Sequence, residues 1–206
     1  MSIAFQEVEA PGTQIWARPR VRVNHVVVTS FSTAIMAILC TSAAFLFAVV
    51  PGLPLGFCPA VPVMVPLGIW FGGWGLLAAY VGCGIGGLLK GVPLALVLPW
   101  VVNDLFMAGI PMLAFRFFKA DPMLKTRRDQ VIFVVFGVVL NSLVAVTWGT
   151  VIPVAYGFWP SRAVPLIWTQ YMIASVLMLA VITPPILRQL TPYARRTHAM
   201  TTGIFV

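Results

Sequence analysis

Polar and apolar positions along this chain segregate into long blocks. A mostly polar stretch from Met1 to His25 holds Glu7, Glu9, Pro11, Gly12 and Pro19 and carries Arg18, Arg20 and Arg22 near its end. An apolar run from Val26 to Val50 follows and stops at Pro51-Gly-Leu-Pro54. A second run extends from Pro59 to Leu89, interrupted at Gly72-Gly73 and closed by Lys90-Gly91, and a third covers Pro93–Phe115. Charge then returns in one cluster: Arg116, Lys119, Asp121, Lys125, Arg127, Arg128 and Asp129. Two more apolar runs, Val131–Tyr156 and Ala163–Leu187, precede a tail with Arg188, Arg195, Arg196 and His198.

A helix needs about 20 apolar residues to cross a bilayer, so these runs predict several crossings. Membrane β-barrels alternate polar and apolar residues over short strands; these blocks are continuous, and the expected fold class is an all-α integral membrane protein. Composition agrees. Of 206 residues, 60% are hydrophobic and 9% charged, against about 25% charged in a typical soluble domain. Mean hydropathy is +0.99. A soluble globular domain, a disordered tail and a nucleic-acid-binding domain are all excluded, and the net charge of +8 reads as the basic flanks of membrane helices. The polar start lacks the early apolar core of a signal peptide, which predicts a retained first helix.

Charge asymmetry predicts the topology, because basic loops stay on the cytoplasmic side. The arm at 1–25, the Arg116–Arg128 loop and the tail at 188–206 should lie inside, with the membrane domain spanning 26–187. An odd number of crossings must then fit between Pro59 and Arg116. Three satisfy this: a short segment at Ala60–Phe71, a second at Gly73–Leu89 and a third at Leu94–Phe115. The expectation is a six-segment bundle in a bacterial or archaeal cytoplasmic (inner) membrane, both termini cytoplasmic, with the second segment short or distorted. Five segments plus one re-entrant element is the alternative.

Asp104 is the most informative residue. At mid-helix it costs about 2.5–3.5 kcal/mol on insertion scales, so it should face the bundle interior. Substrate binding, ion coupling or proton handling is one reading, a structural hydrogen bond the other. Asn103 precedes it and can border the same space. Asn141, with Ser142, Thr147 and Trp148 nearby, reads either as interhelical packing glue or as a ligand contact. Lys90 at the outer rim reads as an anion contact or as a snorkelling lysine. Trp70, Trp74, Trp100, Trp148, Trp159 and Trp168 default to interfacial belts, with Trp100 and Trp148 as alternatives for stacking a planar ligand. Cys40, Cys58 and Cys83 read as small buried hydrophobes, implying neither a disulfide framework nor a metal site. His25 and His198 sit at basic flanks outside the core. No nucleophile, phosphate-loop or paired-carboxylate motif occurs, so no enzyme activity and no cofactor is expected.

Small residues recur at packing distance: Ala44-x-x-x-Ala48, and Gly82, Gly86 and Gly87. Such steps let helix backbones meet, within the chain or against a membrane partner. Together with Pro62–Trp74, Gly82-Cys-Gly-Ile-Gly-Gly-Leu-Leu-Lys-Gly91, Val102-Asn-Asp-Leu105 and Ile110-Pro111, the order resembles the six-helix S components of energy-coupling factor vitamin transporters, especially queuosine-precursor-type members. The resemblance covers roughly Ala34–Arg116. It implies that Ala44 and Ala48 dock on a coupling subunit.

Two functional expectations follow. One is a substrate-capturing subunit that binds a small planar solute through Asn103, Asp104, Asn141, Trp100 and Lys90, with partner subunits supplying energy. The other is a non-catalytic accessory subunit of a large respiratory or photosynthetic membrane complex, with lipids and neighbouring subunits as partners; a membrane sensor module is a third possibility. A capture subunit needs a polar-lined cavity, whereas an accessory subunit needs a filled interior.

Overall fold

The computed structural model describes residues 23–49 and 56–205, with the side chains of 45–49 outside that description. The basic arm before Val23, the Pro51–Pro54 turn and the side chain of Ala48 therefore fall outside the described residues. Every regular element among the described residues is helical. Four stretches are long and apolar enough to cross a bilayer: Val23–Ala44, Leu94–Phe117, Arg127–Ala155 and Ser161–Val181. Two shorter apolar helices accompany them. This is the build of a multi-pass helical membrane protein.

The first helix, α1, covers Val23–Val49. The short α2 (Val61–Phe71) starts with proline in its first turn and stops at Gly72, whose φ of 60° and ψ of −134° turn the chain sharply into α3 (Gly73–Leu89). Glycine is required there: a Cβ at Gly72 would lie 2.5 Å from Thr201 Oγ1. Nine of the residues of α2 are buried, on all its faces, as expected of a helix that is apolar all round. It forms the centre of the molecule, packed against α3 and later helices.

α3 runs parallel to α1. His25 stacks on Trp74 near one end of the pair, and Gly82 and Gly86 meet Met36 and Cys40 further along. The third apolar run forms two helices, α4 (Leu94–Trp100) and α5 (Val102–Phe117), broken at Val101. Pro99 supplies no N–H to the helix ladder, and side-chain donors meet the backbone at the break. Tyr80 Oη donates to the Leu98 carbonyl at 3.2 Å and Trp148 Nε1 to the Pro99 carbonyl at 2.8 Å.

The charged loop ends in a capping box in which the Thr126 and Asp129 side chains each accept from the other's backbone N–H, starting α6 (Arg127–Ile132). A π-helical stretch, Phe133–Val139, leads into α7 (Leu140–Ala155). After a 3₁₀ turn at Ser161–Ala163, α8 (Val164–Val181) passes through Ile182 into α9 (Thr183–Arg196). Helix thus continues well past Leu187. α9 buries Thr183, Leu187, Thr191 and Ala194 and exposes Arg188, Arg195 and Arg196.

Several sequence expectations need correction. Cys40 and Cys83 are not isolated hydrophobes; they are joined as a disulfide between α1 and α3, with Cα atoms 5.6 Å apart. The glycines beside them bring the two backbones close enough for this. His25 lies inside the packed structure, at 5% exposure, because Trp74 covers it. Trp70 is a core residue and not a belt residue: it is buried, and its indole N–H is bonded to Thr191. The end of the chain is packed as well. Thr201 N–H donates to the Trp70 carbonyl at 2.9 Å, Gly73 N–H donates to the Ile204 carbonyl, and Phe205 meets Trp74 edge-on.

Candidate functional site

A cavity of about 170 Å³ lies between the helices. Its walls come from α1 (Cys40, Ala43), α2 (Val61, Met64), α3 (Cys83, Gly87), the α4–α5 junction (Trp100, Val101, Asn103, Asp104 and Met107), α7 (Ala145, Gly149) and α8 (Tyr171, Ser175). The segment Gly56–Cys58 closes one side, with Gly56 (φ 88°) set directly against the Tyr171 ring. Lys90 completes the lining with an exposed side chain.

Four of the five residues singled out from the sequence as solute contacts border this one space: Lys90, Trp100, Asn103 and Asp104. Trp100, Asn103, Asp104 and Met107 stand at i, i+3, i+4 and i+7, positions that share one face of a helix, and Val101 between α4 and α5 keeps a right-handed helical backbone (φ −67°, ψ −2°). Asp104 is 8% exposed, and its carboxylate makes no hydrogen bond or ion pair with the described residues; the two ion pairs among them both belong to Asp121. Trp100 is held by its indole N–H, which donates to the Gly149 carbonyl at 3.0 Å. Its ring meets Trp159 edge-on, and Trp159 meets Tyr171 in the same way. Gly149 permits the close approach of Asn103 and Trp100, since a Cβ there would lie 3.2 Å from Asn103 Nδ2 and 3.7 Å from the Trp100 indole nitrogen.

Asn141, the fifth, lies outside the cavity lining. It is fully buried and donates from Nδ2 to the carbonyls of Met107 (3.0 Å) and Gly137 (3.3 Å). Gly137 belongs to the π-helical stretch. Met107 itself lines the cavity, so Asn141 stands behind the wall and ties α7 to α5. Trp148 is likewise a structural donor. Ala44 is exposed on α1.

The sequence reading missed Cys58, Met107, Tyr171 and Ser175. Gln170-Tyr171 was the one signal for α8, a polar pair inside an apolar run. Ser175 exchanges a hydrogen bond with Ser142 at 3.0 Å, so part of its capacity is spent on holding α8 to α7. All three cysteines border the cavity, Cys58 as the free thiol. Burial pushes the Cys58 thiol above its ordinary range, because a thiolate is poorly solvated there.

Compared with known proteins, the chain matches no family model, no curated protein and no solved structure. Function therefore has to be argued from the cavity. In chemical terms it offers an acid, an amide, a hydroxyl, a thiol, an indole and a phenol ring in a mostly apolar wall with an ammonium at its edge, an arrangement suited to holding a small organic molecule.

Proposed function

We propose that this chain is the non-catalytic, substrate-capturing membrane subunit of a small-molecule transporter. The observation that carries the reading is the cavity beside the α4–α5 break, bordered together by Trp100, Asn103 and Asp104. A carboxylate near the middle of the Leu94–Phe117 span is costly in lipid. Placing it on a cavity with Lys90 attracting it from a distance and no side chain bonded to it is explicable if a bound solute provides the bond. An accessory subunit has no need for such a space.

In this reading the chain makes six passes, with α2 as the short second one, and both ends lie on the cytoplasmic side of an inner membrane. Lys90 marks the outer side, and the solute enters there. The basic cluster from Arg116 to Arg128, around the connection of α5 to α6, and the exposed arginines of α9 support this orientation. Energy comes from partner subunits, and the exposed apolar side of α1 around Ala44 is the docking face, in keeping with the resemblance to the S components. Ala44→Trp should then abolish partner assembly while leaving solute binding intact.

The decisive experiment is purification of the full chain with its partners, followed by mass spectrometry of bound small molecules and of companion chains. A solute that is retained by the wild type and lost from Trp100→Ala supports capture. Companion chains of a respiratory or photosynthetic complex, with no solute in the wild type, would replace it with the accessory-subunit reading. Reporter fusions after Lys90 and after Arg128 test the orientation, which fails if both report the same side.

A further inference from the structure

The cavity has one feature that narrows the ligand class. Asp104 is more than nine-tenths buried and borders the cavity, yet its carboxylate has no donor among the described residues. A buried polar group without a partner is costly, and more so when charged. The strongest partners for a carboxylate are cationic N–H donors. Lys90 attracts it only at longer range: the lysine side chain is exposed and forms no close ion pair with Asp104. Asn103, Ser175, Tyr171 and Cys58, which also line the cavity, supply no cationic donor.

The rest of the wall sets size and shape. An apolar cavity of about 150 Å³ accommodates benzene, and this one measures about 170 Å³. One ring with a short substituent fits. The lining aromatics Phe57, Trp100 and Tyr171 offer π faces, which attract cations as well as rings.

We propose that the cavity binds a small, ring-sized organic cation whose protonated amine donates to the Asp104 carboxylate. The proposal rests on the capture reading above and specifies its substrate class. Lys90 at the rim gives the site a direction, with the cationic head innermost and any electron-rich end of the ligand towards the lysine.

The test uses three probes of one shape and different charge: benzylamine, benzyl alcohol and benzoate. Each is titrated at pH 7 into the purified full chain in detergent, with quenching of tryptophan fluorescence and a thermal-shift measurement as readouts. Benzylamine should bind at least about tenfold more tightly than benzyl alcohol, as a charge-assisted bond predicts. Asp104→Asn should weaken benzylamine much more than benzyl alcohol and so remove most of that difference. Equal binding of amine and alcohol to the wild type overturns the cation assignment and leaves the capture reading standing. So does tightest binding by benzoate, which would make Lys90 the anchor. The wild-type comparison does not depend on the folding of the variant. If none of the three probes binds, the cation assignment and the cavity's role in capture both fail.

Discussion

Trp70 on α2 donates its indole N–H to the hydroxyl of Thr191 on α9 at 2.9 Å, and that hydroxyl donates onward to the Leu187 carbonyl. Trp70 and Thr191 are both buried. The chain of bonds joins the central helix to the last one, across more than half the sequence. Thr191→Val keeps the side-chain shape and leaves the indole N–H without an acceptor, which should cost about 1–3 kcal/mol. The loss is read as a lower thermal midpoint in detergent. Adding Trp70→Phe should not deepen the loss by its full single-mutant cost, because the orphaned donor is gone. Strict additivity of the two costs would show that the pair is not coupled.

Gly82 and Gly84 make opposite predictions two residues apart. A Cβ at Gly82 would lie 2.5 Å from the Met36 Cβ and 2.7 Å from the Thr33 carbonyl oxygen, both on α1. At Gly84 the nearest atom would be 3.9 Å away. Gly82→Ala should destabilise by about 1–3 kcal/mol through overpacking. Gly84→Ala should be neutral or slightly stabilising, since alanine favours a helix over glycine by about 1 kcal/mol. Equal midpoints for the two variants would contradict the α1–α3 contact.

The cysteines predict a labelling pattern. Without reductant, denatured protein should take up maleimide at Cys58 alone; after reduction, Cys40 and Cys83 should label as well. In the native state Cys58 should react slowly. Alkylation requires the thiolate, and burial raises the Cys58 pKa, so at any given pH less thiolate is present. Its rate–pH curve should be displaced towards higher pH relative to the same residue in denatured protein. A native curve at or below the denatured one would reverse the sign of the burial effect.

Arg116 is bonded to the uncharged segment around Thr201. Its guanidinium donates to the Thr201 hydroxyl at 2.8 Å, to the Thr201 carbonyl at 3.3 Å and to the Gly68 carbonyl at 3.4 Å. Arg116→Met keeps the stem and removes these donors, so the segment around Thr201 should come free of α2. Carboxypeptidase digestion should then trim the variant faster than the wild type. Unchanged digestion would mean that the backbone bonds of Thr201 and Ile204 suffice to hold the tail.

Helix limits were legible wherever proline and glycine act locally. The sequence places a short segment at Ala60–Phe71 and another at Gly73–Leu89, and α2 and α3 occupy Val61–Phe71 and Gly73–Leu89. The break at Val101 and the π-helical stretch before Asn141 were not read from the sequence: Pro99 marks the first locally, but the indole bonded to its carbonyl comes from Trp148 on α7, and Asn141 bonds at once to Gly137 and to Met107 on α5. The same holds for the site. Asp104 stands out in the sequence because a lone carboxylate in a long apolar run has a known transfer cost. Tyr171, Cys58 and Gly149 carry no such mark.

What the linear order of residues establishes here is therefore membrane character, the limits of α2 and α3, and one acid in an apolar run. Each follows from the local balance between solvation and backbone propensity. Which helix faces meet, that Asn141 supports the wall and does not border the cavity, and that three cysteines line the same cavity as Asp104 were settled by packing. Those relations depend on glycine-thin contacts and on hydrogen bonds between residues far apart in the chain, and no local rule encodes them.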